Sequence, residues 1–91
     1  MATHELKTWP AYFEAVGNGI KTFEIRNDRD RGFQAGDKVI LREYNPHGGL
    51  AIPESSKYTG RQLQATIGFV TAFDQKEGYV VFSLLRVGKP K

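Results

Sequence analysis

The sequence predicts a small α+β fold, a mixed β-barrel of about five strands with one or two short helices. Three observations lead there. The 91 residues suffice for one domain with a limited core, so residues 1–91 are expected to fold as a unit. Strand-like segments dominate, in the order strand, helix, then four strands. One helix cannot cover both faces of a five-stranded sheet, whereas closing the sheet into a barrel, with the helix at one end, removes its open edges.

His4 to Thr8 reads as a short opening strand. In "WPAYFEAVGNG", Pro10 suits a first helical turn, and Tyr12, Phe13 and Val16 fall at helical spacing beside Trp9. The "GNG" at 17–19 ends the helix, because glycine and asparagine tolerate a left-handed stop. "KTFEIR" then alternates Phe23 and Ile25 with Thr22, Glu24 and Arg26, the pattern of a half-buried strand with its polar set on the other face. Gly32 and Gly36 break the turn-rich stretch that follows. In "KVILREY", Val39 and Leu41 face one side, Ile40 and Arg42 the other.

Residues 45–60 form the least regular stretch, expected to be a long functional or mobile loop that covers the cleft or leaves it open. "RQLQATIGFVTAF" is a long strand with Leu63, Ala65, Ile67 and Phe69 on one face. After Gly68 the apolar parity slips to Val70 and Ala72, the mark of a bulge or a barrel corner. "YVVFSLLRV" is apolar on both faces and reads as a central strand, and residues 88–91 as a flexible tail.

Composition narrows the function classes. There is no apolar run of the ~18 residues a membrane span needs, so no membrane partner is expected. The absence of cysteine removes disulfides, thiol catalysis and thiolate metal sites, and fits a cytoplasmic protein. His4 and His47 are too few and too far apart for a metal site, and no cofactor motif is present. A net charge of +3 leans mildly toward an anionic partner.

The chemistry concentrates in "GIKTFEIR" at 19–26. Glu24 and Arg26 share a strand face, with Lys21 just before the strand at a glycine-lined turn. One reading is a solvated, ion-paired strand face of little energetic weight. The other is a polar pocket floor, with Lys21 and Arg26 donating to an anion or a base edge and Glu24 accepting from an amino group. A glycine at Gly19 lets a ligand approach the backbone closely.

Gly19, Lys21, Glu24 and Arg26 match the G-x-K-x-x-E-x-R signature of ASCH domains, within the PUA-like superfamily. "HELK" at 4–7, "FEAV" at 13–16, "KTFEIRNDRD" at 21–30, "GDKVILREY" at 36–44, "TGR" at 59–61 and "GYVV" at 78–81 resemble one bacterial and phage-associated ASCH-like subfamily of unknown function. "RG" at 31–32 is an insertion relative to that pattern. The resemblance implies a PUA-like β-barrel whose signature residues line a cleft for RNA or a modified nucleoside.

Beyond the signature, Trp9, Tyr12 and Tyr44 are candidates for stacking a base, whereas Phe13 reads as core. Arg29 and Arg31 interleave with Asp28 and Asp30 and read as a solvated turn, while Arg42, Lys57 and Arg61 are candidate members of a basic rim. His4 and Lys7 point to opposite sides of their strand, so one of them is positioned to reach the cleft. The expected function is RNA or nucleotide binding through Gly19, Lys21, Glu24, Arg26, Tyr44 and Trp9. The alternative is a small hydrolase acting on a modified nucleoside or on RNA, with Lys21 and Glu24 catalytic. ASCH-like amidohydrolases pair the signature lysine with a threonine and a downstream glutamate. Here Glu24 occupies the threonine position, Thr22 adjoins the lysine, and no downstream glutamate matches.

Overall fold

The computed structural model describes residues 1–29, 31–47 and 53–89. It comprises β1 (Thr3–Thr8), α1 (Pro10–Gly17), β2 (Phe23–Asn27), β3 (Lys38–Tyr44), a 3-10 turn (Glu54–Lys57), β4 (Tyr58–Thr71) and β5 (Tyr79–Gly88). The five strands form one strongly curled, half-barrel sheet in the order β1-β3-β4-β5-β2. The β1–β3 pair is parallel and the others are antiparallel.

The expected closure of the barrel is corrected in one respect. β1 and β2 stand at opposite ends of the strand order and do not pair with each other. Basic side chains bridge the seam between them instead. Arg26 Nη2 donates to Lys7 O at 3.0 Å, and Arg31 Nη1 donates to Glu5 O at 3.0 Å. Each covers a carbonyl that an open edge would leave bare.

Helix α1 packs on β3 and β5 and buries Phe13 and Val16. Pro10 opens it where a missing N–H costs nothing, and Phe13 N donates to Trp9 O at 2.8 Å. Its stop is a Schellman motif: Ile20 N bonds Ala15 O at 3.0 Å and Gly19 N bonds Val16 O at 3.1 Å. Gly19 takes the left-handed position of that motif, with φ +76°. The core gathers Leu6, Val39, Leu41, Ala65, Ile67, Phe82 and Leu84 with Phe13, Val16 and Phe33.

In β2 the expected parity is reversed. Phe23 and Ile25 are exposed, while Glu24 is buried and Arg26 half-buried. The inner face of this edge strand meets charged partners rather than the apolar core, so the polar set turns inward. The long strand does bulge near Gly68: the β4–β5 register shifts between Ile67 and Val70, adding one residue on β4. Phe69 therefore lies exposed instead of sharing the buried face of Ala65 and Ile67. β5 pairs on both sides, as its two-faced apolar pattern predicts. The stretch 45–60 is shorter as a loop than expected, because the 3-10 turn and β4 occupy its second half. Residues 48–52 lie outside the described residues, and so does the question of whether this stretch covers a cleft. Of the expected tail, Gly88 still belongs to β5, and residues 90–91 lie outside the described ones.

Candidate functional site

The end of β1, the first turn of α1 and the length of β2 converge on a cleft of about 580 Å³ at the seam. Lys7, Thr8, Trp9 and Tyr12 form one wall, and Lys21, Phe23, Glu24, Ile25 and Arg26 the other. Trp9 and Tyr12 are each about half exposed, at 51% and 55%. Lys21 lies between two aromatic faces, its Nζ 5.7 Å from the Tyr12 ring centre and 5.1 Å from that of Phe23.

Glu24 is the hub of the inner wall. It is 3% exposed, and both carboxylate oxygens are engaged. Lys21 Nζ donates to Oε2, and Arg26 Nε donates to Oε1 at 2.9 Å. Lys21 Nζ also donates to Phe23 O at 2.7 Å. Two cations compensate one buried carboxylate, so the group is satisfied internally and offers its cations, not itself, to the cleft.

The backbone of the seam is equally specific. Leu84 N bonds Thr22 O at 2.9 Å and Asp28 N bonds Gly78 O at 2.8 Å, so the even residues of β2 face β5. The N–H and C=O of Phe23 and Ile25 therefore face the seam. On β1, Lys38 N bonds Ala2 O at 2.9 Å, which turns the even residues to β3 and leaves Glu5 and Lys7 facing the seam. Lysine and arginine side chains cover the carbonyls of Glu5, Lys7 and Phe23. The amides of Lys7, Phe23 and Ile25 have no internal acceptor among the described residues.

Of the sequence-predicted site residues, Lys21, Glu24, Arg26 and Trp9 come together in this cleft, and Gly19 and Tyr44 do not line it. Gly19 serves the helix stop, and Tyr44 is buried against Tyr58 at 5.0 Å between ring centres. Tyr44 OH donates to Glu54 Oε1 at 2.7 Å, and that carboxylate raises the pKa of the phenol. Lys7 Nζ bonds the same Glu54 oxygen at 2.8 Å and lies 4.7 Å from the Tyr44 ring centre. The pairing raises the Lys7 pKa above the ordinary lysine range, and Lys7 followed by Tyr44 holds the Glu54 carboxyl below its usual value. Of the two β1 candidates, Lys7 and not His4 thus lies at the cleft.

His4 is buried, 4.6 Å from Phe33 between ring centres and 2.9 Å from Asp37 Oδ2. His47 meets the edge of Trp9 with ring centres 6.0 Å apart. Arg61 pairs with Glu14 at 2.7 Å and Glu43 at 3.0 Å, and Arg42 stacks on Tyr58 at 4.0 Å. The expected basic rim is therefore split into separate pairs. Arg61 lines a second cleft of about 610 Å³ beside Phe13, and it is already paired twice there. Thr8, Phe23 and Ile25 were missed as lining residues. A sequence pattern carries no mark of which strand edge stays open, and that is what brings them to the cleft. Among the described residues no group of three or more His, Cys, Asp and Glu side chains could hold a metal ion, and no helix is long and apolar enough to cross a membrane.

The model of the family "Domain of unknown function (DUF3850)" matches residues 3–84. No curated protein matches the chain. The family match corrects the expectation of an ASCH, PUA-like, RNA-binding identity. The resemblance rested on the G-x-K-x-x-E-x-R signature and on an ordered set of short matches along the chain, and the signature residues have local physical causes here. Gly19 is set by a helix stop, and Lys21, Glu24 and Arg26 by the burial of one carboxylate. Such demands recur outside a single family.

Proposed function

This chain belongs to the DUF3850 family, and from that premise we propose that its seam cleft binds a nucleotide. One observation carries the reading: two exposed aromatic rings, Trp9 and Tyr12, stand in the same cleft as the cations Lys7, Lys21 and Arg26. The rings offer faces for a base, each stack being worth about 1–3 kcal/mol. The cations suit a phosphate, and a cleft of about 580 Å³ falls within the size range of small-molecule sites. The test is an amide chemical-shift titration with uridine and cytidine monophosphates at low and moderate salt. Saturable shifts at Lys7, Trp9, Tyr12 and Lys21, weakening as salt rises, are the expected result. Shifts scattered over the basic surface, or none, overturn the reading.

A small hydrolase acting on a modified nucleoside draws support from the adjacency of Lys21 and Glu24 in this cleft. It ranks second because Glu24 is already held by two cations and the Thr8 hydroxyl in the cleft wall is buried and donates to Leu6 O. Turnover of an acylated cytidine that is abolished by Glu24→Gln, with binding retained, is the result that reverses this order.

A further inference from the structure

We infer that the outer face of β2, β5 and the end of β4 is the contact surface of a symmetric homodimer, in which a second copy of this chain packs sheet to sheet. The inference goes beyond the nucleotide reading and does not depend on it.

Val80, Phe82 and Leu84 of β5 point into the core, so Val81, Ser83 and Leu85 point outward. Directly paired residues share a face, which places Phe23 beside Ser83, and Ile25 and Thr71 on either side of Val81. In the β4 bulge Phe69 is 69% exposed, and its N–H donates to Ser83 Oγ at 2.9 Å. Phe73, 83% exposed, adjoins Thr71, donating its N–H to Thr71 Oγ1 at 3.1 Å. Phe23, Ile25 and Leu85 are each about half exposed. The other half of the outer face differs. There Glu5, Lys38, Arg42, Gln62 and Gln64 point outward. Arg42 lies 3.6 Å from Glu5 and stacks on Tyr58, so that half is polar and covered by its own side chains.

Charge and shape point to a second copy as the occupant. None of the outward residues on the apolar half is charged, whereas exposed charges of both signs, Asp74, Lys76, Glu77 and Arg86, stand in the β4–β5 turn and on β5 beyond Leu85. A charge-free face needs a charge-free partner, and a rim of mixed sign matches itself better than it matches an anionic lipid surface. The face is also self-complementary. β5 runs down its middle, with Phe23 on β2 and Phe69 on β4 to either side of Ser83. A two-fold axis along β5 lays β4 of one copy over β2 of the other, Phe69 against Phe23. At about 150–250 Å² for a whole aromatic side chain, the five exposed residues present roughly 500 Å². Two such faces bury about 1,000 Å², the threshold for a specific interface, before the rim adds its share.

The test is sedimentation equilibrium of the full chain from about 1 to 500 μM, repeated with Phe69→Asp and with Gln64→Lys on the polar half. The expected result is a monomer–dimer equilibrium with Kd of about 10–100 μM, as suits an interface at the small end of the range. Phe69→Asp should weaken it at least about tenfold by placing a carboxylate against Phe23 of the other copy, and Gln64→Lys should leave it unchanged. Should Phe69→Asp not fold, the native chain decides: the amides of Phe23, Phe69 and Ser83 shift with protein concentration where this face is the contact. A chain that stays monomeric to the highest concentration overturns the inference, and so does a dimer indifferent to Phe69→Asp. Binding of the monomer to neutral phosphatidylcholine vesicles through Phe69, with no dimer formed, also overturns it and gives the face to a lipid surface. The nucleotide reading stands or falls separately, by its own titration.

Discussion

Glu24 has two cations on its two oxygens and almost no exposed surface. At the scale of the residue this decides what the carboxylate does. Replacing it with glutamine keeps the volume but removes the charge that Lys21 and Arg26 answer. Those two side chains are only 18% and 24% exposed, so water compensates them in part. Glu24→Gln should therefore cost about 2–3 kcal/mol, below the full penalty for breaking a wholly buried pair. Urea unfolding measures it, and a change within a few tenths of a kcal/mol would mean the network is a loose surface pair. The three charged residues could be singled out in the sequence by their spacing. Which way they pointed could not. Alternation gives two faces without saying which is inner, and the ordinary rule that apolar residues point inward failed because an edge strand needs only local satisfaction.

The elements were legible because each carries its own punctuation. Pro10 marks the start of α1 and the Gly-Asn-Gly run its end. Gly68 marks the bulge of β4 by a slip in apolar parity. The second irregularity, an extra residue on β5 beside Arg86 with φ 55°, left no signal, since arginine is not a residue that turns call for. Gly68 is held by space rather than by φ. A Cβ there would come within 2.7 Å of Ser83 Oγ and 2.9 Å of Leu85 Cδ1, and Ser83 Oγ already accepts from Phe69 N at 2.9 Å. Gly68→Ala should destabilise by about 1–3 kcal/mol, as overpacking does, and shift the β4–β5 amide resonances around Ser83. An unchanged urea midpoint would show that Leu85, half exposed, simply moves aside.

For the whole molecule, the curled sheet and its single helix followed from strand order, but the open seam did not. Closure depends on how far a sheet of five strands curls, and no residue type reports that. Asp37 ties distant parts of the curl together. It accepts from Ala2 N at 3.1 Å, from His4 Nε2 at 2.9 Å and from Gln34 N at 3.1 Å. The His4 bond foremost holds its carboxyl below the ordinary aspartate range. A carboxyl lowered by folding stabilises fully above its unfolded value and loses that contribution as pH falls through the folded one. Stability from this source should hold from neutrality down to about pH 4 and decline below it. Asp37→Asn should lose about 2–3 kcal/mol at neutral pH, because the amide nitrogen faces donors. The gap between wild type and variant should then narrow in acid. Urea midpoints across pH test this, and parallel curves would contradict it.

Trp9 is the only tryptophan in the chain, and it stands half exposed on the wall of the seam cleft. The molecule therefore carries a built-in optical reporter. Its emission arises from one indole at one place, and a planar ligand lying against that ring would dim it in proportion to occupancy. Affinities and association rates can thus be read from the unlabelled protein by fluorescence, with no second chromophore of this kind to blur the signal.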